Sequence, residues 1–220
     1  MKRFVSLHLT ATVALAVSGT IGQAAQTGSD ALVWYRSAGT ARLASDSNST
    51  TLRKVAALPE SGVLWGQVLG KLAQAPFHAL RAELPKEAQD QPSLWRPLLE
   101  DVLSAESVGA VRDAGGHSEF ALAIQLPEAR AGLWNSNLTG IVRAWKLSEP
   151  VPVKANEASG WQARNATNSM LIQTVRVRDW VVVGVGREPL MLAPSWAQEI
   201  AKSGQPAPAL QGTWLEARLD

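Results

Sequence analysis

The stretch 118–126 alternates with a period of two. Phe120, Leu122, Ile124 and Leu126 are large and apolar, and Ala121, Ala123 and Gln125 fall between them. An extended strand sends successive side chains to opposite faces, so this pattern defines a strand with one strongly apolar side. Just upstream, Val108, Ala110 and Arg112 suggest a partner strand, and Asp113-Ala114-Gly115-Gly116 supplies turn chemistry between the two. The segment reads as a β-hairpin. Two further β-rich runs, 170–177 and 180–186, are separated only by Arg178-Asp179 and predict a second hairpin.

Each hairpin is followed by a helical pattern. Pro127-Glu128 opens one helix where proline is best tolerated, with Trp134, Leu138, Ile141, Val142 and Trp145 spaced along one stripe. A proline-interrupted helix at about 188–202 follows the second hairpin and is closed by Gly204. Two hairpin-then-helix units, roughly 107–146 and 170–203, predict an α+β fold with a largely antiparallel sheet and its helices packed on one face.

A helical N-terminal segment precedes these units. After a first strand at 31–36, Asp46-Ser47-Asn48-Ser49 can cap a helix carrying Leu52, Val55 and Ala56. Pro59 and Gly62 punctuate it, and Val63, Leu64, Val68, Leu69 and Leu72 continue a helical spacing until Pro76. Between 77 and 103, Pro85, Pro92 and Pro97 divide the chain into short helical pieces. Their clearest stripe is Leu94, Trp95, Leu98, Leu99, Val102 and Leu103. The segment 155–160 reads as a loop and 161–164 as a short strand. In 213–219, Leu215, Ala217 and Leu219 share one strand face. Residues 25–220 are expected to form a single domain. Either that last strand completes the sheet, or the chain is the N-terminal part of a longer protein.

The first 24 residues have the layout of a cleaved signal peptide. Lys2 and Arg3 form a short positive region, the apolar run 11–17 follows, and Gly22-Gln23-Ala24 places small residues at the positions a signal peptidase reads. Cleavage is expected after Ala24 or Ala25. The apolar run is too short to span a bilayer, which needs roughly 20 predominantly apolar residues. The expected product is soluble and either secreted or periplasmic.

Removing the leader changes the charge. The whole chain has 21 Lys+Arg against 19 Asp+Glu. Loss of Lys2 and Arg3 balances the two, so the basic character belongs to the discarded part. A neutral chain without a Lys/Arg run lacks the footprint of a nucleic-acid binder or of an anionic-membrane binder. There is no cysteine. That excludes thiol catalysis, Cys-based zinc sites and attachment of lipid to an N-terminal cysteine.

The chemical motifs are fragmentary. Gly116-His117-Ser118-Glu119-Phe120 approaches the G-x-S-x-G nucleophile elbow, but Phe120 stands where the last glycine belongs and no histidine follows the serine. Gly184-Val185-Gly186 approaches a dinucleotide fingerprint, but Pro189 replaces its third glycine. Asp113, His117 and Glu119 gather around the first hairpin turn, where a His–carboxylate pair could serve acid–base chemistry or hold a ligand. Two histidines beyond the leader cannot build a three-histidine zinc site, and no metal or cofactor is expected.

Nine tryptophans accompany only three phenylalanines and one tyrosine. Trp therefore replaces the other aromatics in the core, and Trp161 is the candidate ligand platform. The expectation is an exported, non-enzymatic domain that binds or scaffolds a small molecule, glycan or protein. The alternative is an envelope hydrolase working through carboxylates, with Asp113, Glu119, Asp101 and Glu100 as its candidates.

Overall fold

The computed structural model describes residues 31–79, 92–155, 157–166, 169–208, 210 and 213–219, so the expected leader, residues 1–24, lies outside the described residues. Strand β1 (Ala31–Ser37) leads into helix α1 (Gly39–Ser45), a 3-10 turn (Ser47–Ser49), α2 (Thr50–Ala56), α3 (Pro59–Ala79) and α4 (Pro92–Ser104). Then come β2 (Ser107–Asp113), β3 (Ser118–Gln125), α5 (Glu128–Ala144), β4 (Val151–Ala155), β5 (Ala158–Arg164), β6 (Met170–Val177), β7 (Trp180–Arg187), α6 (Leu192–Ser203) and β8 (Leu215–Leu219). All eight strands form one sheet in the order β4-β5-β6-β7-β3-β2-β1-β8. Every neighbouring pair is antiparallel.

The two expected hairpins form the middle of this sheet. In the first, Ser107 pairs with Ile124 and Asp113 with Ser118, and the turn places Gly115 and Gly116 at φ 75° and 89°. In the second, Val177 pairs with Trp180 across the two-residue turn Arg178-Asp179, with Arg178 in the left-handed region at φ 55°. Strands β3 and β7 then pair with each other, joining the two hairpin-then-helix units at the centre.

The helices divide between the two faces of the sheet instead of sharing one. On the first face, Leu122, Ile124, Ile172, Val181 and Val183 pack with Ala131, Trp134, Leu138, Ile141 and Val142 of α5 and Leu98 of α4. On the second, Ala121, Ala123, Val175, Val177 and Val182 pack with Ala193, Trp196, Ala197 and Ile200 of α6. The reason lies in the residues between the large ones. Ala121 and Ala123 are 0% exposed. Small apolar residues on this side let α6 approach closely, so a pattern that looks one-sided by size is two-sided by burial.

Three local readings also change. Val151–Ala155 and Ala158–Arg164 pair antiparallel as β4 and β5, with β4 at the sheet edge and Pro152 within it. An edge strand can accommodate a residue without an N–H. Helix α4 starts at Pro92 and runs through Pro97 without a break, and α3 continues past Pro76. Helix α6 begins at Leu192, four residues later than expected, after the cis Glu188–Pro189 bond. Pro85 falls outside the described residues.

Buried ion pairs fasten the connections to the sheet. Arg36, 1% exposed, is held by Glu106 and donates to the carbonyls of Ala207 and Pro208 in the segment leading to β8. Asp101 of α4 accepts from Trp134 Nε1 at 2.8 Å and Arg130 Nε at 3.0 Å, locking α4 onto α5. No helix among the described residues is long and apolar enough to cross a membrane.

Candidate functional site

The residues around the first hairpin turn are divided by the strand geometry. Glu119 lies opposite Arg112, and Asp113 lies opposite Ser118. Alternation therefore sends Asp113 to one face of the sheet and Glu119 to the other. Asp113 Oδ1 accepts the Gly116 N–H at 3.1 Å, an interaction internal to the turn. His117 is partly exposed, and its backbone carbonyl accepts the Ala114 N–H.

Glu119 is 1% exposed and has a structural task. Its Oε1 accepts the backbone N–H groups of Met191 and Leu192 at 2.7 and 2.6 Å, and its Oε2 takes Arg112 Nε at 2.6 Å. The first N–H groups of a helix lack partners inside the helix, and a carboxylate there also meets the positive end of the helix dipole. Glu119 thus pins the start of α6 to the centre of the sheet. The neighbouring glycines serve the same packing. A Cβ on Gly184 would lie 2.7 Å from Ala193 Cβ, and one on Gly186 would lie 3.1 Å from Leu190 Cδ2.

The other acids named for a hydrolase are engaged as well. Asp101 holds Trp134 and Arg130, and Glu100 makes an exposed ion pair with Arg96 one turn away. Among the described residues no three His, Asp or Glu side chains gather as a metal site would require.

Trp161 lies in a different place. It is 7% exposed and donates Nε1–H to Asn135 Oδ1 at 2.7 Å. A groove of about 410 Å³ runs between α5 and the strands β5, β6 and β7. Trp161, Asn135, Ser159 and Thr174 line it, and the Glu128–Arg176 ion pair borders it. At 7% exposure the tryptophan presents little ring surface, so stacking of a sugar on it is restricted.

The largest departure from ordinary burial lies elsewhere, on α2 and the first half of α3. Leu52, Val55, Leu58, Val63, Leu64 and Trp65 are 46–63% exposed, and Leu72 is 40% exposed. Of the nine tryptophans, Trp65 is the one in the exposed class. Further along α3, Leu69 and Ala73 are buried at 3% and 1%. Among the described residues, none of 59–68 is buried. At 100° per residue, Leu64, Trp65, Val68 and Leu72 occupy one arc of the helix, away from Leu69 and Ala73.

Helical spacing alone would assign these residues to a core. The signal against that reading is the sequence 61–70, Ser-Gly-Val-Leu-Trp-Gly-Gln-Val-Leu-Gly, which has no charged residue on any side. A helix that packs on one face only ordinarily carries charge on the other. Leu64, Trp65 and Leu72 at these exposures leave roughly 300 Å² of apolar area along the arc, within the range of the largest, often functional, patch on a monomer. Comparison with protein-family models, curated proteins and solved structures found no match to this chain.

Proposed function

We propose that this protein is an exported, non-enzymatic association module, a scaffold that works by docking its α2–α3 surface against another polypeptide. The observation that carries this reading is the apolar stripe Leu64, Trp65, Val68 and Leu72 on α3, with Leu64 62% and Trp65 46% exposed. The largest apolar patch on a monomer is often functional, and an uncharged helical face suits contact with another polypeptide. Glu119 and Asp101, the buried acids, are bound up in holding helices, which supports a role without catalysis. The leader supports export.

The test is a photo-crosslinking residue placed at position 64 of the full chain in producing cells. Association through this surface yields adducts heavier than the chain, absent when the probe replaces the exposed Arg143 of α5. No adduct from position 64 would defeat the reading.

A second reading rests on the groove beside Trp161, where Asn135, Ser159 and Thr174 offer a polar lining for a small molecule or glycan. Titration of tryptophan emission with a glycan panel tests it. A saturable change retained in Trp161→Phe would place the ligand elsewhere.

A further inference from the structure

The α2–α3 surface also carries information about its partner. Glu60 and Lys71 stand eleven residues apart on α3, about three turns, with the uncharged run 61–70 between them. At 100° per residue both fall on the same edge of the arc formed by Leu64, Val68, Trp65 and Leu72. Among the described residues neither makes an ion pair.

When two identical helices pack antiparallel about a two-fold axis, each edge faces the same edge of the other copy. Glu60 of one copy then meets Lys71 of its partner, and Lys71 meets Glu60. The axis passes close to Trp65 and Gly66, midway between the charges. Parallel packing would leave these opposite charges apart. The stripe is therefore self-complementary in one orientation, apolar at its centre with opposite charges at its two ends.

The area is consistent with the same pairing. Covering the α3 stripe and its flanking charges on each of two chains buries less than about 1,200 Å² in total, the range of weak, reversible contacts. From these observations we infer that the occupant of the α2–α3 surface is a second copy of this chain, paired antiparallel through α3 in a reversible dimer. This rests on the association reading above and names its partner.

Sedimentation equilibrium of the purified full chain tests it. The expected result is a monomer–dimer equilibrium with a dissociation constant of about 1–100 μM. Glu60→Lys and Lys71→Glu each replace two attractive contacts with two repulsive ones, and each weakens the dimer about tenfold. The double variant Glu60→Lys/Lys71→Glu re-pairs the charges and returns to within about threefold of the wild type.

A chain that stays monomeric at about 1 mM overturns the inference. So does a double variant weaker than either single one. Crosslinks from position 64 to a different protein, or flotation of a monomeric chain with phosphatidylcholine vesicles, also overturn it. In the crosslinking case the association reading survives with another partner. When position 64 yields no adduct at all, both fail together.

Discussion

Replacing Glu119 with alanine tests the assignment of the first hairpin to structure. The carboxylate receives three hydrogen bonds, from the backbone N–H of Met191, the backbone N–H of Leu192 and Arg112 Nε, all at 2.6–2.7 Å. Its side chain is 1% exposed, whereas Arg112 is 19% exposed. Breaking a buried charge pair by removing one member costs about 3–5 kcal/mol. Because water reaches Arg112, the lower part of that range applies, about 3 kcal/mol. For a domain this size the melting midpoint moves about 2–4 °C per kcal/mol, so Glu119→Ala lowers Tm by about 6–12 °C.

Glu119→Gln separates the contributions. Its amide oxygen can still accept the two helix N–H groups, but its NH2 group faces Arg112, so the loss is about 1–2 kcal/mol. Thermal and denaturant unfolding followed by circular dichroism measure both variants. A loss below about 1 kcal/mol for Glu119→Ala would refute the assignment and return Glu119 to the list of functional acids. Self-association of either variant should match the wild type, since β3 and α6 lie away from the α3 stripe.

Three further outcomes follow from the same geometry. Gly39 sits at φ 77°, and a Cβ there would lie 2.3 Å from the Ser104 carbonyl oxygen. Gly39→Ala should therefore cost about 3 kcal/mol in denaturant unfolding, and a neutral result would contradict the close approach of α1 to α4. Asp46 is held below the usual carboxylate range by the Asn48 N–H and then by Trp214 Nε1–H. The stability it adds is fully present above its ordinary value and is lost as pH falls through the lowered one. Melts between about pH 5 and pH 2 should show an acid slope that Asp46→Asn reduces, and an unchanged slope would remove Asp46 from the account. Leu64→Glu should leave Tm within about 1–2 °C of the wild type, because the side chain is 62% exposed, while abolishing dimer formation. A large drop in Tm would place Leu64 in the core.

Much of the sheet is legible in the sequence because its central hairpins combine a period of two with turn residues. Phe120 to Leu126 and the runs on either side of Arg178-Asp179 leave one register each. Strand β4 is not legible. It is five residues long, contains a proline and gains its identity only by pairing with β5. The second covered face is hidden for a different reason, since alanine at 121 and 123 gives no measure of how closely a helix approaches.

The candidate sites show the same division. Asp113, His117 and Glu119 are neighbours in sequence, but the register between Arg112 and Glu119 places Asp113 on the opposite face of the sheet. No local pattern contains that pairing. Leu64 and Trp65 pose the converse problem. Their helical spacing suggests burial, and only the lack of charge through 61–70 hints that the helix has no polar side to turn outward.

The most direct test of the central claim uses the tryptophans themselves. Labelling the chain with 5-fluorotryptophan gives one fluorine resonance for each of nine sites, and Trp65→Phe identifies the resonance of Trp65. Between about 10 μM and 1 mM, the Trp65 resonance should lose its solvent isotope shift as the α3 surfaces pair, while that of Trp134, 2% exposed within the core, stays constant. A Trp65 signal that keeps its solvent shift over that range would contradict the pairing of two copies through α3.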